Sequence, residues 1–206
     1  VSNTVRRRNQ DAALLQYRAA EGESTKPQFR GYAVVFNEWT TLLSYRNWEI
    51  REVIRPGAFR NALAASQDVR ALINHDSTLV LGRTRAGTLR LREDDKGLAV
   101  EIDPPNTQPA RDIAVSMERG DVNQMSFAFL PRKGGEVTTI RMVDDVEVTE
   151  IEIVDADLFD VAVVTYPAYE GTSIGVRGRD IEEAAAAAKR RWLAERLAKL
   201  DSLNKR

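Results

Sequence analysis

Between residues 29 and 164 the sequence breaks into short alternating apolar and polar runs, each closed by a turn signal. Such spacing admits a strand-rich fold and excludes a doubly wound sheet, in which strands alternate regularly with helices. Strands are expected at 29–36, around 48–54, at 69–74, 79–84, 88–92, 98–102, 122–130, 137–143, 146–154 and 158–164. The pair flanking Asp94-Asp-Lys-Gly97 reads as a hairpin. Helical periodicity is confined to three places. Residues 58–65 follow Pro56, a residue favoured near a helix start. Residues 110–119 are followed by Gly120 in the position that ends a helix. Residues 180–203 carry five consecutive alanines, with Asp180 and Glu183 spaced as a capping box. The implied fold class is α+β, a mostly antiparallel, closed or nearly closed β-barrel with flanking helices.

The ends read differently from this unit. Residues 1–27 are polar and charged and suggest a flexible arm with a helical turn near 12–19. Arg6-Arg-Arg8 within it reads as a solvated charge run. The expected organisation is an arm over 1–27, a barrel domain over 28–178 and a helix over 179–206. That last helix presents Leu193, Leu197 and Leu200 at helical spacing and is expected to pack on its own domain.

Composition narrows the chemistry. Thirty Lys and Arg against 31 Asp and Glu leave a net charge of -1, so no global field recruits nucleic acid or an anionic membrane. No apolar run reaches the ~20 residues that a spanning helix needs. The first residues lack an apolar core of a signal peptide, which gives an intracellular protein as the expectation. Cysteine is absent, removing disulfides and thiol catalysis, and histidine occurs once, at His75. Phosphate-binding glycine loops and HExxH are missing. No cofactor and no metal is expected.

Three residues stand out by setting. His75 ends the apolar run 69–73 and is flanked by Asn74 and Asp76. Ser126 lies in Met125-Ser-Phe-Ala-Phe129, where strand alternation sends Met125, Phe127 and Phe129 to a core and leaves Ser126 beside small Ala128. Asp160 lies in Phe159-Asp-Val-Ala-Val163, where Phe159, Val161 and Val163 are expected on one face and Asp160 with Ala162 on the other. A carboxylate in so apolar a strand needs a partner. A lone histidine supplies one, and imidazole is the base that makes a serine hydroxyl nucleophilic near neutral pH. The order His75, Ser126, Asp160 is no obstacle, since geometry defines a triad.

The same segments resemble those of the prohead (head-maturation) serine protease family of tailed phages, itself distantly similar to the herpesvirus assemblin proteases. The similar stretches run in order from Arg30-Gly-Tyr-Ala-Val-Val-Phe-Asn37 through Glu52-Val-Ile-Arg-Pro-Gly-Ala-Phe59. They continue with Asn74-His-Asp76, Leu81-Gly-Arg83, Gln124-Met-Ser-Phe-Ala-Phe129 and Leu158-Phe-Asp-Val-Ala-Val-Val-Thr-Tyr-Pro167. The resemblance implies an assemblin-like fold, with His75 and Ser126 as catalytic base and nucleophile. Asp160 is assigned as the third member, with Asp76 and Glu152 as rivals, because the family often has glutamate where this chain has Asp160. Ala128 stands where the family commonly has glycine. Arg83 and Arg132 are candidates for holding an oxyanion-stabilising water.

By the same resemblance the chain is a serine endopeptidase that cleaves scaffold and major capsid protein segments, and itself, during phage prohead maturation. It would act in the host cytoplasm, inside the immature capsid. Its partners would be protein substrates and further copies of itself in a dimer or higher oligomer, with no specific nucleic acid and no membrane. The competing readings are a catalytically silent capsid-assembly or scaffold protein of the same fold and a hydrolase acting on other bonds.

Overall fold

A computed structural model describes residues 5–18 and 28–165, with positions 190 and 194 besides. Its strands are β1 (Arg6–Arg18), β2 (Gln28–Val35), β3 (Thr40–Tyr45), β4 (Trp48–Ile54), β5 (Arg70–Ile73) and β6 (Asp76–Arg83). They continue with β7 (Leu89–Glu93), β8 (Gly97–Ile102), β9 (Gln124–Pro131), β10 (Glu136–Val143), β11 (Val146–Ile153) and β12 (Ala156–Val164). Helix α1 (Arg60–Ala64) separates β4 from β5, and α2 (Gln108–Glu118) separates β8 from β9. Gly120 takes φ +80° after α2, where its N–H returns to the Met117 carbonyl and closes the helix. The expected helix at 179–206 falls outside the described residues, positions 190 and 194 excepted.

Two sheets share the core. Eight strands follow the order β6-β5-β12-β9-β1-β2-β8-β7, and four follow β10-β11-β4-β3. Most neighbours are antiparallel, but β12 pairs with β5, and β11 with β4, in parallel. Phe29, Phe59, Phe127 and Phe129 are fully buried in the main core, with Phe59 set edge-on to Phe127 at 6.1 Å between centroids. At Gly97 the chain passes so close to β2 that a Cβ would stand 1.9 Å from the Val34 carbonyl oxygen. Only glycine lets β8 pair there.

The expectation of an α+β closed or nearly closed barrel like the assemblins is not met. The described residues are mostly β, with two sheets and no closed barrel. The larger sheet ends at β6 on one side and at β7 on the other. The physical reason is that β3, β4, β10 and β11 pair among themselves, through the parallel β4–β11 ladder, rather than continuing the larger sheet.

Two strands were not visible in the sequence. Residues 6–18 form β1, between β9 and β2, where a frayed arm with a helical turn was expected. Residues 40–45 form β3, whose alternation is hidden by a register shift between Thr41 and Leu43. A third difference lies in β12. A bulge between Leu158 and Asp160 takes Phe159 out of alternation, so Phe159 is 41% exposed and Leu158 fills the core position.

Candidate active site

The face of the larger sheet opposite Phe127 carries the polar residues. Strand β9 presents Ser126 and Ala128 there, and β12 presents Asp160 and Ala162. Ala162 pairs with Ser126 and Asp160 pairs with Ala128, so serine and aspartate occupy one diagonal of a four-residue patch and alanines the other. Small corners leave the diagonal open to a bridging ring. Leu72, Ala162 and Val164 form a small separate apolar cluster on the chain segments around it.

The β5–β6 turn delivers that ring. Ile73 pairs with Asp76, so the turn is two residues long, and both Asn74 (φ +51°) and His75 (φ +57°) adopt the left-handed conformation. Positive φ at both central residues is what a two-residue turn of matching twist requires, and Asn and His tolerate it better than most side chains. Asn74 also ties the turn to the end of β12. Its N–H donates to the Val163 carbonyl at 2.8 Å, and its Oδ1 accepts from the Thr165 N–H at 3.0 Å. The turn is therefore held directly over the patch by the main chain and side chain of Asn74 rather than by the imidazole itself.

From this position the imidazole spans the diagonal. His75 Nδ1 is 2.5 Å from Asp160 Oδ1, and His75 Nε2 is 2.6 Å from Ser126 Oγ. A carboxylate only accepts, so Nδ1 carries the proton towards Asp160 in the neutral ring and Nε2 turns its lone pair to the hydroxyl. His75 and Asp160 side chains keep 11% and 13% of their surface, while Ser126 is fully buried. Low exposure strengthens each electrostatic contact in the chain of three.

The other candidates are engaged elsewhere. Asp76 accepts hydrogen bonds from the N–H and the hydroxyl of Thr78, which lower its carboxyl below the usual range. Glu152 pairs with Arg55 at 2.8 Å. Arg132 is bound to Asp157, and Arg83 grips Asp68 with two nitrogens at 2.8 and 2.5 Å.

The Arg83–Asp68 pair fixes the open end of the hairpin that carries His75, since Arg83 lies opposite Arg70 across β5 and β6. The hydrogen bond from Arg83, with the charges of Arg70 and Arg85 behind it, holds the Asp68 carboxyl down to about 2. The folded value lies below the ordinary aspartate value of about 3.9, so the pair stabilises the fold fully above that value and stops doing so as pH falls towards 2. Urea midpoints of Asp68→Asn and the parent chain should differ at pH 5 and converge near pH 2. A constant gap across that window would contradict this assignment.

What covers Ser126 was not foreseen. The first part of β1 runs antiparallel along β9, with Arg6 opposite Phe129, Arg7 opposite Ala128, Arg8 opposite Phe127 and Asn9 opposite Ser126. The Arg8 carbonyl oxygen lies 3.1 Å from Ser126 Oγ. Arg6 and Arg8 are not solvated, as a charge run would be: both reach Glu52, at 3.3 and 2.7 Å, and Arg6 also reaches Glu136 at 2.6 Å. The one sequence signal for this contact was the triple arginine, and its acidic partners lie 44 to 130 residues away.

Residues 14–187 match the family model described as caudovirus prohead serine protease. The prohead protease of Enterobacteria phage HK97 is 30% identical over 158 residues, which are 74% of this chain and 61% of that protein. The chain thus spans less than two thirds of the length of that relative. Among solved structures, the bacteriophage T4 capsid assembly protease superposes with a TM-score of 0.44 and 9% identity, over 80% of this chain and 97% of that one.

Proposed function

The chain belongs to the caudovirus prohead serine protease family, and from that premise we propose that it is a serine endopeptidase that cuts scaffold and capsid-protein segments within an assembling phage head. The observation that carries this reading is the hydrogen-bonded series Asp160–His75–Ser126. In that series Ser126 is the nucleophile, His75 the general base and Asp160 the residue that orients the imidazole.

The chemistry follows from those roles. Neutral His75 takes the hydroxyl proton at Nε2 as Oγ bonds to the carbonyl carbon of the substrate. Asp160 stabilises the resulting imidazolium and remains ionised. His75 then returns the proton to the departing amine nitrogen, the C–N bond breaks, and an ester on Ser126 is left. Water, losing a proton to His75, hydrolyses the ester and restores the hydroxyl.

The competing reading, a silent assembly protein of the same family, gives no reason for a serine, an imidazole and a carboxylate to share one diagonal. Co-expression with the cognate coat and scaffold proteins distinguishes the two. Cleaved coat or scaffold with the parent chain, and full-length protein with Ser126→Ala, is the outcome expected. Identical patterns with both chains would remove Ser126 from the reaction, and no cleavage by either would favour the assembly reading.

A further inference from the structure

We propose that Glu52 and Glu136 are specificity-determining residues, and that the groove along β9 takes extended peptide segments with a basic residue immediately before the cleaved bond and another two residues earlier. This inference rests on the protease reading and extends it to the class of substrate. Its basis is the occupant already in the groove, residues 6–9 of the chain itself.

Three observations define the fit. First, the segment is laid out as a substrate strand would be. It pairs with residues 126–129 of β9, and the Ser126 hydroxyl lies 3.1 Å from the Arg8 carbonyl oxygen. The bond in register with the nucleophile is therefore Arg8–Asn9. Second, alternation along an extended strand sends Arg6 and Arg8 to the same side. Both meet Glu52 there, while Arg7 is exposed. Third, Glu52 is only 3% exposed, on a strand that also buries Trp48, Ile50, Val53 and Ile54. A carboxylate so placed is costly without a cation beside it. Arg8 adds a contact over the ring of Phe129, at 6.0 Å. The segment also precedes the stretch matched by the family, which begins at residue 14.

The same contact makes the segment a block. A hydroxyl has one proton, and when the Arg8 carbonyl accepts it, His75 Nε2 cannot. Segment 6–9 thus competes with incoming peptides until it leaves or is cut. Cutting would follow the steps above: the Arg8 carbonyl carbon becomes the ester on Ser126, the Asn9 nitrogen takes the proton from His75, and water releases the segment that ends at Arg8.

The test uses a synthetic peptide of residues 5–12 (VRRRNQDA) and its counterpart with alanine for Arg6 and Arg8, mixed with the full chain. Cleavage after Arg8, at least tenfold faster than for the alanine peptide, is the expected result. Glu52→Gln should cost about tenfold or more in kcat/KM on the basic peptide relative to the alanine peptide, chiefly through KM, and so remove the preference. If Glu52→Gln does not fold, Glu136→Gln should by itself weaken the preference for the earlier basic position. Equal rates on both peptides, with hydrolysis still abolished by Ser126→Ala, would overturn the specificity proposal and leave the protease reading standing. Binding gives a readout independent of turnover. Labelled basic peptide should bind the chain carrying Ser126→Ala with Arg6→Ser and Arg8→Ser, and lose affinity when Glu52→Gln is added. Absence of such binding would overturn the proposal even if coat protein were still cut, and its presence without any cleavage by the chain carrying only Arg6→Ser and Arg8→Ser would leave the groove but refute the protease.

Discussion

Ser126→Ala is expected to lower peptide hydrolysis by about 10⁴-fold or more, with the melting temperature little changed. The size follows from what the substitution removes. Without Oγ there is no ester intermediate, and the remaining imidazole and carboxylate have no hydroxyl to activate. Residual activity would reflect substrate binding and stabilisation of the oxyanion, which survive loss of a nucleophile in other serine hydrolases. The fold should tolerate the change because Ser126 lies among Ala128 and Ala162, whose corners already hold only methyl groups. Removing the hydroxyl deletes one partner of His75 and of the Arg8 carbonyl, both of which keep others or regain water. Steady-state kinetics on a cleaved peptide, with thermal denaturation in parallel, measures both halves. A loss of less than tenfold would remove the hydroxyl from the chemistry, and a collapse of stability would leave the kinetic loss unexplained by it.

Asp160→Asn is expected to cost about 10²- to 10⁴-fold in kcat, again with a folded protein. Proton placement sets the size of the loss. With aspartate, Nδ1 donates and Nε2 is left as the acceptor for the serine proton. An asparagine amide can turn its NH₂ towards Nδ1, which stabilises the other tautomer and puts the proton on Nε2, where it faces Ser126 uselessly. The imidazolium formed during attack also loses its counter-charge. Asp160→Ala should be no worse than Asp160→Asn, because it removes the orienting group without imposing the wrong tautomer. Should Asp160→Asn retain near-parental kcat while Asp76→Asn or Glu152→Gln lost it, the third member would have to be reassigned.

The site was more legible in the sequence than the fold. Ser126 with Ala128, and Asp160 with Ala162, are local alternations, and one histidine left no choice of base. The turn that presents His75 was only half visible: Asn74 marks a left-handed position, but the tie to Val163 and Thr165 joins segments about 90 residues apart. Sheet closure was not legible, because which strands pair is decided by contacts such as the parallel β4–β11 ladder, between elements about 100 residues apart. Strand β1 was hidden for a different reason. Its first residues are Arg-Arg-Arg-Asn-Gln, and charged side chains read as solvated until the buried Glu52 that receives two of them is in place. Phe159 shows the limit of alternation itself, since one bulge residue reverses which side chain reaches the core.

The central claim is that His75 activates Ser126 as a nucleophile, and labelling with a fluorophosphonate, a reagent that phosphonylates activated serine hydroxyls, tests it most directly. With segment 6–9 loosened by Arg6→Ser and Arg8→Ser, intact-mass and peptide mass spectrometry should find one adduct per chain, on Ser126. His75→Ala should slow the labelling by orders of magnitude. An adduct on another serine, or labelling of Ser126 at the same rate without His75, would contradict the account.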